Sequence, residues 1–208
     1  VRTEPGATYH LGRRALTAVI ATDTDWGTAR FIIDDTDVEN HRASLFAVRS
    51  PLEPVKLSIP RLTRDQRRLD APPPRDCWVR VENNGKRRYI RRGLNQNNGS
   101  TQRDCFILRR DGTIEGAIDW DYDTIPRVEA RPLDERPLVL KGGVFTTTAN
   151  RMKQAKGYNY WSRNIAIHRS NTTVVGLTHH IVGETDTGHP YGGFLAVSSC
   201  ANVTLRDC

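Results

Sequence analysis

Long apolar runs are missing from this sequence. No stretch approaches the roughly 20 residues that cross a bilayer, so a spanning helix is excluded and no membrane partner is expected. No stretch of 11 or more residues carries an apolar stripe at the helical period either. The best helical candidates, residues 63–69 and 150–156, are short and polar. Cysteine occurs four times, at Cys77, Cys105, Cys200 and Cys208, and never as Cys-x-x-Cys, so none of the common zinc spacings is present. Cys77 and Cys105 pair only if the segments they open lie side by side; free buried thiols are the simpler reading. The chain opens on Val1 with no apolar leader-like stretch behind it, and so reads as a mature form or a piece of something longer.

What is abundant is arginine, 26 residues against 5 lysines within a formal charge of +7. The excess is local. Between Arg61 and Arg110 there are 14 basic and 5 acidic residues, a balance of +9, while the rest of the chain holds 17 against 19. Such a segment attracts polyanions, and guanidinium forks match planar carboxylates and sulfates. A genome-wide arginine bias produces the same skew with no ligand at all.

The remaining pattern is β almost throughout. Alternating or β-branched apolar runs recur at residues 8–11, 16–21, 30–33, 44–48, 78–81, 106–108, 138–140, 164–167, 173–177, 193–197 and 202–205, separated by Gly, Pro, Asn and Asp. Three segments are expected: residues 1–50, a basic insertion over 51–132, and 133–208. Proline marks the second segment, at 51–60 and in Ala71-Pro72-Pro73-Pro74. Within it Arg75-Asp76-Cys77 and Arg103-Asp104-Cys105 begin two similar hairpins, expected to turn at Asn83-Asn84-Gly85 and at Asp111-Gly112.

The third segment repeats. Ile165, Ile167, Val175 and Leu177 align at an offset of 30 with Leu195, Val197, Leu205 and Asp207; Leu138 and Leu140 precede Ile165 and Ile167 by 27. Each copy is strand, polar corner, strand. Neither buries its apolar row alone, so copies must stack.

At these residues the sequence resembles a family. Residues 192–208, from Gly192-Gly193-Phe194-Leu195 to Leu205-Arg206-Asp207-Cys208, look like a coil of a right-handed parallel β-helix of the pectate-lyase-like superfamily. Residues 164–177 are similar, and Pro5-Gly6-Ala7-Thr8-Tyr9-His10-Leu11 resembles the opening strand of such solenoids. The resemblance covers about half the chain and matches no complete catalytic motif. It implies an all-β fold with the basic segment as an inserted antiparallel subdomain. It also implies a secreted or periplasmic location and a role on polysaccharides, as lyase or glycoside hydrolase, or as a non-catalytic phage or cell-surface adhesin. Ending at Cys208 leaves a coil uncovered, so further coils are expected to follow.

Two loops carry candidate chemistry. In 150–163, Arg151, Lys153, Lys156, Tyr158, Tyr160, Trp161 and Arg163 combine cations with rings, which suits an acidic saccharide; the rings also suit simple packing of the loop. In 179–191, His180, Glu184, Asp186, His189 and Tyr191 are candidate catalytic residues. A lyase needs a base and a group that neutralises the uronate, and a hydrolase needs two carboxylates, for which Glu184 and Asp186 are the available pair. His179 and His180 are neighbours and point to opposite faces of a strand. A zinc site from His180, Glu184 and His189 fits no familiar spacing. Asp119, Asp121 and Asp123 alternate, as oxygen ligands of Ca2+ do, but the glycine and glutamate of an EF-hand loop are missing and solvated surface is the plainer reading. The sequence expectation is therefore an acidic polysaccharide as partner, with lyase chemistry favoured over hydrolysis and Ca2+ as the only cofactor considered. Nucleic acid ranks last, since the basic segment lacks the exposed aromatic spacing of single-strand binders.

Overall fold

A computed structural model describes residues 1–88, 99–151, 161–184 and 192–208. Among these residues the chain is all-β: β1 (Thr8–Leu11), β2 (Ala18–Ile20), β3 (Thr24–Asp34), β4 (Ser44–Val48), β5 (Cys77–Arg88), β6 (Ser100–Leu108), β7 (Ile114–Glu115), β8 (Arg127–Pro132), β9 (Leu138–Thr148), β10 (Asn164–Ile167), β11 (Thr172–Val175), β12 (Thr178–Val182), β13 (Leu195–Val197) and β14 (Val203–Arg206). The chain forms two compact units, one of Val1–Pro51 with Asp134–Cys208 and one of Leu52–Leu133.

The first unit is built of parallel sheets, ordered β1-β3-β9-β11-β14 with β12 also on β9, and β13-β10-β4-β2. Glycine creates its corners. β3 bends at Gly27 (φ 48°), β9 at Gly142 and Gly143 (φ 70° and 88°), and Gly176 (φ 66°) separates β11 from β12. A Cβ on Gly142 would lie 2.4 Å from the Gly27 carbonyl oxygen, so successive backbones meet here at a distance only glycine allows. Each bent strand thus serves two ladders. One joins Thr24, Leu140, Val174 and Leu205; the next joins Phe31 to Tyr9 and to Phe145, and Phe145 to His179. A third joins Ala47 to Val19 and to Ala166, and Ala166 to Ala196.

Inward positions fill one interior. Ile33, Val48, Leu138, Leu140, Ile165, Ile167 and Val174 are all 0 or 1% exposed. Rings at matching positions stack: Tyr9 on Phe31 at 5.2 Å, and Phe31 on Phe145 at 4.6 Å and 10°, with Trp26 edge-on to both phenylalanines.

The copies do not align quite as the sequence implied. Ile165 pairs with Leu195 at an offset of 30, but Val174 pairs with Leu205 at 31, because the corner before β14 (198–202) is one residue longer than that before β11 (168–171). Period-2 strands tolerate no such slip without exchanging faces, so Val175 stands opposite Arg206 rather than Leu205. Leu138 and Leu140 are stacked with Thr172 and Val174, whereas Ile165 and Ile167 lie on Phe46 and Val48. The corners carry Asn171 and Asn202 in left-handed conformation (φ 54° and 56°), and the Asn202 amide donates to Asn171 Oδ1 at 2.9 Å.

Arg163, expected on a saccharide surface, is inside. It is 1% exposed, and its Nε donates to Asp35 Oδ1 at 2.6 Å while its backbone N–H donates to Oδ2 at 3.1 Å. Its terminal nitrogens donate to the carbonyls of Leu11, Arg14 and Asp34. One guanidinium thereby ties three successive turns of chain and satisfies the buried Asp35 carboxylate, which a saccharide-facing role does not permit.

The second unit is an antiparallel sheet, β7-β6-β5-β8. Val79, Val81, Phe106, Leu108, Ile114 and Ala130 point to its core, joined by Ile59, Leu62 and Tyr122. Of the two similar tripeptides, Arg75-Asp76-Cys77 leads into β5 whereas Arg103-Asp104-Cys105 lies in the middle of β6, and the two strands pair with each other; Asn83-Asn84-Gly85 lies at an irregularity within β5 rather than at a hairpin turn. Cys77 is buried and Cys105 is exposed, on opposite faces of the sheet, and both are free thiols.

Replacing Arg163 with Met is expected to cost the first unit about 3–5 kcal/mol, since it strands the Asp35 carboxylate in the interior. Urea unfolding measures this, and adding Asp35→Asn should recover part of the loss. A change below about 1 kcal/mol contradicts the assigned tie.

Candidate functional site

β1, β3, β9 and β12 end side by side at one corner of the first unit, where the described residues 12–17, 35–43, 149–151 and 183–184 follow them. Beside that corner lies the outward side of the ladder. Its side chains are set by alternation. On β12 His179 and Ile181 are partly covered while Thr178, His180 and Val182 are exposed. Register then places His10, Ile32, Thr146 and His180 in one outward row, and Asp34, Thr148 and Val182 in the next. His10 and His180 stand three strand spacings apart, about 14 Å.

A shallow depression of about 340 Å³ is lined by His10, Leu11, Gly12, Ile32, Asp34, Thr36 and Thr148. Asp34 Oδ1 accepts the Thr36 N–H at 3.0 Å. The Thr36 hydroxyl and amide, followed by the charges of Arg163 and Arg151, hold its carboxyl below the usual range. Asp34 is therefore an anion at neutral pH, suited to accept from sugar hydroxyls or a cation and not to act as an acid.

Two of the loop residues singled out for saccharide binding lie at this corner. Arg151 is exposed, and its N–H donates to the Thr36 carbonyl at 3.2 Å. Trp161 is 42% exposed; its carbonyl accepts from the Asn150 amide at 3.0 Å, and the Arg42 guanidinium sits 5.3 Å from its ring centroid. Glu184 is exposed two residues past β12. Lys153, Lys156, Tyr158, Tyr160, Asp186, His189 and Tyr191 lie outside the described residues.

The sequence alone singles out neither His10 nor Arg42, and from it Asp34 reads as solvated surface. The signal for His10 and Asp34 was available, as outward positions in Thr8-Tyr9-His10 and Arg30-Phe31-Ile32-Ile33-Asp34, but it needs the strand faces to be known. Among the described residues no three His, Cys, Asp or Glu side chains gather as a metal site. The three alternating aspartates go separate ways. Asp121 Oδ1 accepts the Arg64 N–H at 2.8 Å, Asp123 pairs with Lys86 at 2.7 Å, and Asp119 is exposed.

His179 belongs to the interior. Its ring stacks on Phe194 at 3.9 Å and 7°, and Nε2 lies 2.9 Å from Thr147 Oγ1. Burial, with the charge of His180 in addition, pushes its pKa down to about 4. The unfolded chain binds this proton near 6.5, so stability from His179 is full above that value and falls as pH drops toward 4. His179→Phe keeps the stack and removes the proton. Relative to the variant, the parent chain is expected to lose roughly 1–3 kcal/mol between pH 7 and pH 4. Parallel stability profiles for the two would contradict this.

No protein-family model matches the chain, and none of the curated proteins matches it.

Proposed function

We propose that this protein is a right-handed parallel β-helix, secreted or periplasmic, that acts on an acidic polysaccharide at the corner beside β12. The observation that carries this reading is the exposed Trp161 ring, braced by Arg42, with the exposed Arg151 in the same connection between β9 and β10. An indole presents an apolar face to a sugar ring, and guanidinium forks pair with its carboxylate. Parallel ladders whose loops emerge together at one corner support the solenoid reading, because a polymer then meets several turns at once.

Elimination is the favoured chemistry. Arginine pairing with the uronate carboxylate acidifies the adjacent C–H. His180, exposed in the outward row, is the assigned base: it takes that proton as the glycosidic bond at the neighbouring carbon breaks, leaving a carbon–carbon double bond and an alkoxide that picks up a proton. Hydrolysis would instead rest on Glu184 with Asp186. Binding without cleavage is the second reading, because the Arg42–Trp161 platform serves adhesion equally well.

Incubation with uronate-containing and neutral polysaccharides separates these. Elimination predicts an ultraviolet-absorbing unsaturated uronate, hydrolysis new reducing ends without it, and adhesion binding with neither. His180→Ala is expected to lower turnover by about 10²–10⁴-fold while binding persists; Trp161→Ala is expected to weaken binding. Full cleavage by His180→Ala removes it as the base, and an absence of binding to any acidic polymer removes the proposal.

A further inference from the structure

The second unit has a face that the proposed site does not use. On the outer side of β5, β6 and β8, three rows stand in register: Trp78 with Ile107 and Arg131, Arg80 with Cys105 and Glu129, and Glu82 with Arg103 and Arg127. Glu82 is a carboxylate only 3% exposed, and it is ringed by arginine: Arg103 Nε at 2.7 Å, Arg127 Nη1 at 3.3 Å and Arg80 Nε at 3.4 Å. Glu129 takes Arg80 Nη2 at 2.6 Å and Arg131 Nε at 2.7 Å. Four guanidiniums thus share two carboxylates, leaving an excess of two positive charges on a rigid sheet.

We infer that this face binds the carboxylate or sulfate groups of an acidic polysaccharide, with Glu82 as the positioning residue that holds the arginines in place. Arg103 and Arg127 spend one donor group each on Glu82, while their side chains stay 51% and 57% exposed, so donors remain for an incoming anion. They flank β5 on either side, two strand spacings or about 10 Å apart. Side chains already paired on a sheet lose little freedom when an anion arrives. The occupant is a polysaccharide rather than a nucleic acid, because the described residues of this face offer no exposed ring for a base: Trp78 is 8% exposed and Arg80 lies over it at 5.9 Å. The polymer class rests on the function proposed above; the face itself does not.

The full chain is titrated with polygalacturonate, dextran sulfate and single-stranded oligonucleotide. Arg103→Lys with Arg127→Lys keeps the charge and loses the fork, and is expected to weaken polygalacturonate and dextran sulfate binding about tenfold at unchanged melting temperature. Unchanged affinity overturns the inference. Glu82→Gln raises the net charge, so a diffuse charge field predicts tighter binding; the organised face predicts weaker, and tighter binding overturns it. Cys105 stands in the middle row and is exposed, as is Cys208 of the other unit. Bound dextran sulfate should slow alkylation of Cys105 and spare Cys208, whereas equal labelling overturns the location. Oligonucleotide bound more tightly than either polymer overturns the occupant. If no glycan is cleaved yet the lysine pair weakens polymer binding, the catalytic reading falls and this face stands. If cleavage occurs and the lysine pair changes nothing, the face falls alone.

Discussion

A parallel turn of chain satisfies nothing by itself: its backbone groups need a neighbour on each side, and its apolar row needs another row above it. Everything else in the first unit depends on that stacking. Phe31 lies on Phe145 because Arg30–Asp34 lies on Val144–Thr148, and those segments lie together because Gly27 and Gly142 let two corners meet. The same register decides which residues face out. His10 and His180 share a row, and Asp34 joins the depression, only as consequences of inward positions held by Phe31, Ile33, Phe145 and His179.

A large insertion is compatible with this because its two ends are tied within the first unit. Ser50 Oγ donates to Asp134 Oδ1 at 2.9 Å, and Arg169 Nε lies 3.3 Å from the same carboxylate oxygen. The chain therefore leaves after β4 and returns at β9 from nearly one place. Loop-closure cost grows slowly with length, so eighty-odd residues between these points disturb the stack little. Buried ion pairs at two corners, Asp35–Arg163 and Asp134–Arg169, fix successive turns where apolar contacts do not reach.

Much of the strand pattern was legible because aliphatic alternation marks Ser44–Val48, Asn164–Ile167 and Leu195–Val197 plainly. β12 was hidden. Its inward residues include a histidine, so Thr178–Val182 reads as polar loop until the Phe194 ring is seen to cover His179. β8 was hidden for the opposite reason: Arg127, Glu129 and Arg131 dominate its composition, while Val128 and Ala130 carry its core face. Arg163 misled because an arginine among tyrosines and tryptophan looks like surface, and its partner Asp35 lies 128 residues away. The single extra residue in the corner before β14 leaves no trace in composition at all. The candidate corner was legible only in its loop residues, Arg151 and Trp161; its strand residues needed the faces.

The register between β3 and β9 bears most directly on this account, since it spans the insertion. Ile32 and Thr146 are outward partners on adjacent parallel strands, about 5 Å apart at Cα and within the range a disulfide bridges. Ile32→Cys with Thr146→Cys, oxidised and mapped by peptide mass spectrometry, is predicted to give the 32–146 bridge. Ile32→Cys with Thr147→Cys, on the opposite face, is predicted not to. A bridge in the second pair and none in the first would contradict the parallel stack on which the corner, its loops and its chemistry are built.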